Sequence, residues 1–323
     1  MDQEAPRILL KLTQVERLSI KNWSATIMSS QTRRNFRKFF PEIKVLSLQD
    51  VSFAAYDFPL LLVSCPKLSA VHLEAVYWQF RDKVMMPLPS PKCQIQTLSL
   101  RESTAIVAFW LANSPFEMSL QNFEAFWGDP VQATYVRAFL EKAGSRLQQV
   151  TLGFHPQQDR VDEFQSQFGS DVTLADIGLC HNTELTSIRI QDDLSGYHPP
   201  DALAHKWVSN VIAQLMSPHL CDIYIKLILS SLPTVGGLDW EQIDQHLVRL
   251  AITEPRLKVT FYVSLVDFAA SECVVPTRMM VDAIVRRLPR LTAQTRRLGV
   301  VCENTQDDQP LSLIPFAGAF MED

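Results

Sequence analysis

Two segments near the N-terminus repeat one pattern of apolar and polar positions. The sequence IKVLSLQDVSF begins at Ile43, and LSAVHLEAVYW begins at Leu68. In each, an apolar residue precedes an alternating apolar pair, and a further apolar residue follows three positions after the pair. Alternation with period two is typical of a strand that buries one of its two faces. The pattern therefore predicts a strand in each segment.

The residues between these two strands predict a helical return. Phe58–Val63 is a largely apolar run that Cys65 and Pro66 close, so the chain makes a strand, a helix and a second strand within about 25 residues. Such a unit cannot bury its apolar face alone and must stack on copies of itself. An alternating apolar pair opens at each of these positions: Leu18, Leu46, Val71, Leu98, Phe123, Val150, Ile188, Ile223 and Val259.

The spacing of these pairs divides the chain into two kinds of repeat. The repeats are about 26 residues long over residues 12–155 and about 36 residues long over residues 156–303. A closing tenth strand is predicted at residues 298–302, and residues 304–323 are predicted to form a capping tail. The sequence thus predicts an α/β fold in which residues 1–323 form a single solenoid domain.

Four helices have recognisable sequence signals. Asp129-Pro130 is typical of a helix start, and Gly144 is a natural stop for that helix. Asp239 and Gln242 suit a capping arrangement at the start of a second helix. Pro200–Met216 and Val275–Leu288 are amphipathic and predict two more helices.

The first predicted strand, VERLSI at Val15–Ile20, lies very close to residue 1. The first strand of a stack is an open sheet edge unless something covers it. We therefore expect either that the chain is the C-terminal part of a longer design or that its first edge pairs with something else.

Composition and charge narrow the function. The 323 residues are 47% hydrophobic and 20% charged, which is too apolar for a disordered chain. The formal net charge of -5 disfavours a nucleic-acid partner, since nucleic-acid grooves are usually basic. No apolar run has the length of a membrane span, and the N-terminus does not resemble a signal peptide. We expect neither a nucleic-acid partner nor a membrane partner.

The six cysteines lie far apart, with no Cys-x-x-Cys spacing. They are interpreted as reduced thiols that fill a core, which indicates a cytoplasmic or nuclear protein. Cys180-His181 is the one close Cys/His pair, and a metal site needs more ligands than that. The carboxylate pairs Asp192-Asp193 and Asp307-Asp308 are interpreted as solvated turns, with a hard-cation site as the alternative.

Sequence signals of catalysis are weak. The chain has no His-Glu-x-x-His, no glycine-rich phosphate loop and no Gly-x-Ser-x-Gly elbow. We therefore expect a non-catalytic protein without cofactor or metal, and an enzyme with a site assembled from loops is the remote alternative.

What remains is the strand face opposite the core. Side chains beside and between the core pairs point to that face, and a ladder of about nine strands spans roughly 40 Å, enough for a peptide or a small domain. Arg101, Arg189, Tyr224 and Tyr262 rank first, because Tyr and Arg are enriched at binding hot spots. The alternative is that these residues are only the solvated side of the sheet. The predicted partner-binding residues are His72, Glu74, Arg101, Glu124, Arg189, Gln191, Tyr224, Lys226 and Tyr262.

The repeated Leu-x-x-Leu-x-Leu pattern resembles that of leucine-rich-repeat proteins. FPEIKVLSLQDVSF and CPKLSAVHLEAVYW are similar to the repeat regions of fungal F-box-type proteins. The chain departs from that pattern where Val51 and Val76 follow the strand in place of Asn or Cys, and no F-box segment is recognisable. The resemblance implies a leucine-rich-repeat horseshoe, with parallel strands on the concave face and helices on the convex face.

The resemblance also implies a function. Proteins of this family hold a substrate on their repeats and join an SCF-type ubiquitin ligase through a Skp-type adaptor. We accordingly expect a protein partner on the concave face and a role as a substrate receptor, with a Skp-type adaptor bound through a segment that the sequence does not reveal. A free-standing scaffold or inhibitor without a ligase is the alternative.

Overall fold

The computed structural model describes residues 14–24, 40–54, 57–79, 94–101, 107, 110, 111, 113, 118–127, 130–154, 177–194, 206–229, 232–265, 277–294 and 297–304. The chain divides into two compact units, Met1–Trp127 and Gly128–Asp323. Both units are α/β, with parallel strands and helices between them, as the repeat pattern predicts. The prediction that residues 1–323 form one repeat domain stays a prediction.

The N-terminal unit contains parallel strands that follow one another in sequence order. Its described elements are β1 (Arg17–Ser24), β2 (Val45–Ala54), α1 (Asp57–Val63), β3 (Ala70–Gln79), β4 (Ile95–Arg101) and β5 (Met118–Trp127). The predicted strand–helix–strand unit over β2, α1 and β3 is confirmed.

The register confirms how the repeats were aligned. Leu46 lies opposite Leu18 on one side and Val71 on the other, and the same row continues to Leu98 and Phe123. The residues that open the alternating pairs are therefore true neighbours across this sheet. Because side chains alternate between faces, a slip of one residue would turn every core side chain toward solvent.

A left-handed residue explains why the next core position in these repeats comes three residues after the pair. Asn22, Asp50 and Ala75 have φ values of 52°, 51° and 48°. They occupy the same place in β1, β2 and β3. The residues directly after them, Trp23, Val51 and Val76, pair with one another across the strands. Each adds one residue to its strand, as a bulge does. Val51 and Val76 then return to the core.

The core of this unit lies between the inward strand face and α1. Phe58 of α1 packs between Phe53 and Trp78, with ring centroids 5.4 Å and 5.7 Å away. All three side chains are buried. Burying aromatic rings of this size contributes strongly to the stability of a core.

The C-terminal unit also has parallel strands in sequence order. Its described strands are β6 (Gln149–Phe154), β7 (Ser187–Asp193), β8 (Asp222–Leu229), β9 (Lys258–Leu265) and β10 (Leu298–Asn304). Its described helices are α2 (Pro130–Ala143), α3 (Lys206–Ala213), α4 (Trp240–Thr253), α5 (Thr277–Val285) and α6 (Pro289–Gln294). The predicted tenth strand is confirmed.

The register of this unit again joins the predicted positions. Val150, Ile188, Ile223 and Val259 form one row across β6 to β9. Among the described residues of this unit, only glycines have a positive φ. Strands β7 and β8 alternate between buried and exposed or half-buried positions along their whole length.

The predicted helix boundaries are largely correct. Helix α2 ends directly before Gly144, whose φ is 55°, and Asp239 caps α4 by accepting a hydrogen bond from the backbone N–H of Gln242 at 3.3 Å. Helix α3 ends at Ala213 and not at Met216 as predicted, and helix α5 ends at Val285 and not at Leu288. Outside the described residues lie the predicted cap Asp129, residues 1–13, residues 200–205 and the tail after residue 304.

One buried and one half-buried polar side chain satisfy the backbone at helix ends in the C-terminal unit. The last carbonyls of a helix have no partner within the helix. Asn182, which is buried, donates from Nδ2 to the carbonyl oxygens of Leu140 at 2.9 Å and Gly144 at 2.8 Å. Arg249 of α4 donates in the same way to the carbonyl of Ala213 at 3.0 Å, at the end of α3.

A buried acid performs the complementary task at a helix start. Asp244 of α4 accepts hydrogen bonds from the backbone N–H groups of Arg290 at 3.1 Å and Leu291 at 2.9 Å. Both donors lie in the first turn of α6, where a helix has unsatisfied N–H groups and favours negative charge. These contacts tie the helix of one repeat to the helix of the next.

Within the described residues, no helix is long and apolar enough to cross a membrane.

The Asn182 contact can be tested by substitution. We expect Asn182→Ala to lower the free energy of unfolding by about 1 to 3 kcal/mol, because the carbonyls of Leu140 and Gly144 each lose a hydrogen bond from a buried donor. Asn182→Asp should cost at least as much, since a carboxylate cannot donate to a carbonyl. Urea unfolding followed by circular dichroism measures both. The control is Ser145→Ala at the exposed turn after α2, and an Asn182→Ala cost no larger than that of the control would contradict this role.

Candidate functional site

The predicted partner-binding residues all lie in described strands, on the face opposite the core. Within the N-terminal unit these are His72, Glu74, Arg101 and Glu124. Within the C-terminal unit they are Arg189, Gln191, Tyr224, Lys226 and Tyr262. Each unit gathers its own residues into a cluster, and the two clusters have different chemistry.

The N-terminal cluster is built from two rows across neighbouring strands. Ser47, His72, Ser99 and Glu124 form one row. Gln49, Glu74 and Arg101 form the next row. Side chains directly opposite each other on one sheet face are close enough to interact, so the register alone places these groups within reach of one another.

Glu124 is the centre of the N-terminal cluster. Its Oε2 accepts a hydrogen bond from Ser99 Oγ at 2.9 Å, and its Oε1 accepts one from Arg101 Nε at 3.0 Å. The Arg101 Nη2 also donates to this carboxylate, and the guanidinium lies 5.0 Å from the ring centroid of Phe126. Arg101 is thus held in place by a carboxylate and an aromatic ring, with half of its side chain exposed.

The neighbouring row adds a second polar contact. Gln49 Nε2 donates to Glu74 Oε1 at 2.9 Å. Gln49 and Ser99 are members of the cluster that the sequence reasoning left out. The signal was available, since Gln49 follows a core leucine and Ser99 lies between two of them, which is the rule that selected the other residues.

His72 lies half-buried among these charges. Burial lowers its pKa below the ordinary value of 6.5, and the Arg101 charge lowers it further while the Glu124 charge opposes both. The imidazole is therefore neutral at pH 7, with one nitrogen able to donate a hydrogen bond and the other able to accept one.

The C-terminal cluster combines cations with tyrosine rings. The Arg189 guanidinium lies 5.7 Å from the ring centroid of Tyr224, and Lys226 Nζ lies 5.4 Å from that of Tyr262. The two tyrosine rings are themselves 5.8 Å apart, tilted by 31°. Arg189, Tyr224, Tyr262 and Lys226 consequently form one continuous group, which we call the cation–tyrosine cluster.

The register explains this arrangement. Arg189 of β7 lies opposite Tyr224 of β8, and Lys226 of β8 lies opposite Tyr262 of β9. Each cation therefore meets an aromatic residue on the next strand, within the distance at which cation–π attraction operates. Gln191 lies opposite Lys226 on the other side.

One predicted turn is wrong. Asp192, interpreted from the sequence as part of a solvated carboxylate pair, is only 1% exposed. Strand β7 contains no left-handed residue, so its alternation continues from Ile188 and Ile190 and places Asp192 on the core face. The other carboxylate pair, Asp307-Asp308, lies outside the described residues.

The Asp192 carboxylate is poorly compensated. Among the described residues, no donor reaches either of its oxygens with the geometry of a hydrogen bond. Burial raises its pKa from 3.8 to about 7, the nearby Trp207 indole opposes that rise, and the charge of Asp193 adds to it. A carboxyl group in such surroundings titrates near neutral pH.

The cysteines and metal ligands follow the sequence reasoning only in part. Cys65 and Cys302 are buried, as expected, but Cys180 and Cys221 are exposed and fill no core. Both lie outside the strands, Cys180 in a short 3-10 turn and Cys221 directly before β8. Over the described ranges, no group of three or more His, Cys, Asp or Glu side chains could hold a metal ion.

Comparison with known proteins yields neither a matching family model nor a matching curated protein.

The electrostatics of the N-terminal cluster give a test by titration. We expect the pKa of His72 to fall further in Glu124→Gln, because the opposing negative charge is lost. It should rise in Arg101→Gln, which removes a positive charge and frees the Glu124 carboxylate. NMR titration of the His72 imidazole in the full chain measures both shifts. A His72 pKa that neither substitution moves would contradict the clustering of these side chains.

Buried Asp192 makes stability depend on pH. Its folded pKa lies above its unfolded pKa, so the folded chain binds more protons between about pH 4 and pH 7. The free energy of unfolding should therefore fall as the pH rises through this range, by up to about 4 kcal/mol, and stay level above it. Asp192→Asn should flatten the profile and raise stability at pH 8.

Urea unfolding at several pH values measures this profile, and Asp193→Asn is the matched control, since Asp193 is the half-exposed neighbour. The wild type and the control should share the same slope. If Asp192→Asn keeps that slope as well, another group is responsible for the pH dependence.

Proposed function

We propose that this chain recognises another protein through the outward face of its parallel strands and performs no catalysis. The observation that carries the proposal is the alignment of charged and aromatic side chains in rows across neighbouring strands, in both units. In each unit, one face of the strands is needed for the core, and the opposite face carries these rows. Arg and Tyr, which bind strongly at interfaces, recur in them.

We further propose that the repeats form a leucine-rich-repeat solenoid of the horseshoe type, with these rows on the concave face. One strand per repeat, parallel pairing and helices within the intervals support this fold. The left-handed residues at one level of β1 to β3 add a regularity within the N-terminal unit that favours stacked repeats.

A role as the substrate receptor of an SCF-type ubiquitin ligase is the specific form of this proposal, and it rests on the resemblance to F-box-type repeat regions. A Skp-type adaptor would then bind elsewhere on the chain, and the protein would act in the cytoplasm or nucleus. A scaffold or inhibitor without a ligase connection is the second candidate, because the same rows would serve either role.

A native pull-down with the full chain as bait, read by mass spectrometry, separates these roles. Recovery of a Skp-type adaptor together with a cullin would support the ligase role. Reproducible recovery of other proteins without them would favour the scaffold.

The strand face itself is tested by reversing charge. We expect the double variant Arg101→Glu, Arg189→Glu to reduce recovery of the bound partners about tenfold or more, because both residues are exposed and positioned by neighbours on the face. The matched control is Arg256→Glu, Arg278→Glu, which reverses two exposed arginines outside the strands. Circular dichroism should show both variants folded. Unchanged recovery from the folded Arg101/Arg189 variant would refute recognition by this face.

A further inference from the structure

We propose that the cation–tyrosine cluster binds an acidic peptide segment of a protein partner, with two carboxylates directed at Arg189 and Lys226. This inference rests on the proposed function and adds the chemistry of the partner. It depends on the charge, the geometry and the occupied ring faces of one cluster in the C-terminal unit.

Within the part of the chain that the structure describes, the two cations of the cluster have no carboxylate partner. Among the described residues, neither Arg189 nor Lys226 forms a salt bridge, whereas Arg101 in the N-terminal unit is paired with Glu124. A cation stacked on an aromatic ring keeps the N–H donors that point away from the ring. Arg189 can therefore donate two parallel hydrogen bonds to an incoming carboxylate, which is among the strong pairings in proteins.

Stacking also prepares these side chains for binding. Free Arg and Lys side chains lose rotamer freedom when a ligand fixes them. Here the rings of Tyr224 and Tyr262 already hold Arg189 and Lys226, and the two rings contact each other. The cluster is half-exposed to exposed, so a ligand can reach it without opening the core.

The spacing of the cations fits an extended peptide. Arg189 and Lys226 lie on neighbouring strands, offset by two residues, which separates their backbone positions by about 8 Å. Side chains two residues apart in an extended peptide lie on the same side, about 7 Å apart. Arg and Lys side chains are long enough to bridge the small difference between these two distances. Acidic residues at positions i and i+2 therefore suit the cluster.

The acids of this face limit the site to a short segment. Asp222 lies two residues before Tyr224 on β8, and Asp193 lies two residues after Gln191 on β7. By the alternation of the strands, both share the outward face with the cluster and lie toward its opposite ends. Carboxylates beyond the two at Arg189 and Lys226 would lie nearer to these acids than those two do, so the site suits a pair of carboxylates.

Nucleic acid fits this cluster less well. Proteins that bind single strands stack bases on open aromatic faces. In the cation–tyrosine cluster, Arg189 and Lys226 cover ring faces and the two tyrosines face each other. The chain as a whole carries a net charge of -5, which disfavours a polyphosphate.

The test is selection from a random-peptide display library on the full chain, followed by fluorescence anisotropy with synthetic peptides. We expect selected peptides to be enriched in Asp or Glu at positions i and i+2. A selected peptide should lose about tenfold or more in affinity when both acids become Gln, or when the protein carries Arg189→Gln and Lys226→Gln. The control Arg256→Gln, Arg278→Gln should bind as the wild type does.

A second set of variants separates a binding role from a structural one. Tyr224→Phe and Tyr262→Phe keep the rings beneath the cations and should bind nearly as the wild type. Tyr224→Leu removes a ring and should weaken binding in the folded protein. Loss of binding to the same extent in the Phe variants would overturn the cation-positioning role of the rings.

Three outcomes would overturn the proposal: no enrichment of paired acids, equal affinity for the acidic peptide and its Gln counterpart, or tighter binding of an oligouridine that depends on Arg189 and Lys226. These outcomes are distinct from failure of the proposed function. If acidic peptides fail while the Arg101/Arg189 charge reversal still abolishes partner recovery, recognition by the strand face stands and the acidic chemistry is wrong.

Discussion

Parallel pairing in one fixed register is the constraint on which both units depend. Each strand buries one face, so the row that contains Leu46 and the row that contains Ile188 must align across every neighbouring strand. A shift by one residue would expose the core and bury the charges. The same constraint that builds the core therefore also fixes which polar groups meet on the outward face.

The rest of each repeat must leave this register undisturbed. In the N-terminal unit, a left-handed residue such as Asp50 recurs at one level of successive strands, so neighbouring strands bend together and remain paired. In the C-terminal unit, buried groups such as Asn182 and Asp244 close the backbone hydrogen bonds at helix ends that the sheet cannot reach. Burying these polar groups without partners would cost more than the contacts now contribute.

The outward faces of the two units show how one register produces different chemistry. In the N-terminal unit, Glu124 neutralises Arg101, and the cluster is internally satisfied. In the C-terminal unit, tyrosines support Arg189 and Lys226 without neutralising them. Attraction to a ring positions a cation but leaves its charge available. Among the described residues, the C-terminal face is therefore the one whose clustered cations have no carboxylate partner.

The sequence by itself determined the strands, their order and the residues that open each core pair, because burial of one strand face leaves a period that can be counted. It also selected the outward residues, including Arg189 and Tyr262, by the same alternation. It could not reveal that Asp192 is buried, since that depends on β7 continuing without a left-handed residue. Only the tertiary structure decided which contact each outward group makes. The repeat alignment places Arg189 opposite Tyr224, but not whether its guanidinium lies over a ring, as here, or beside a carboxylate, as that of Arg101 does.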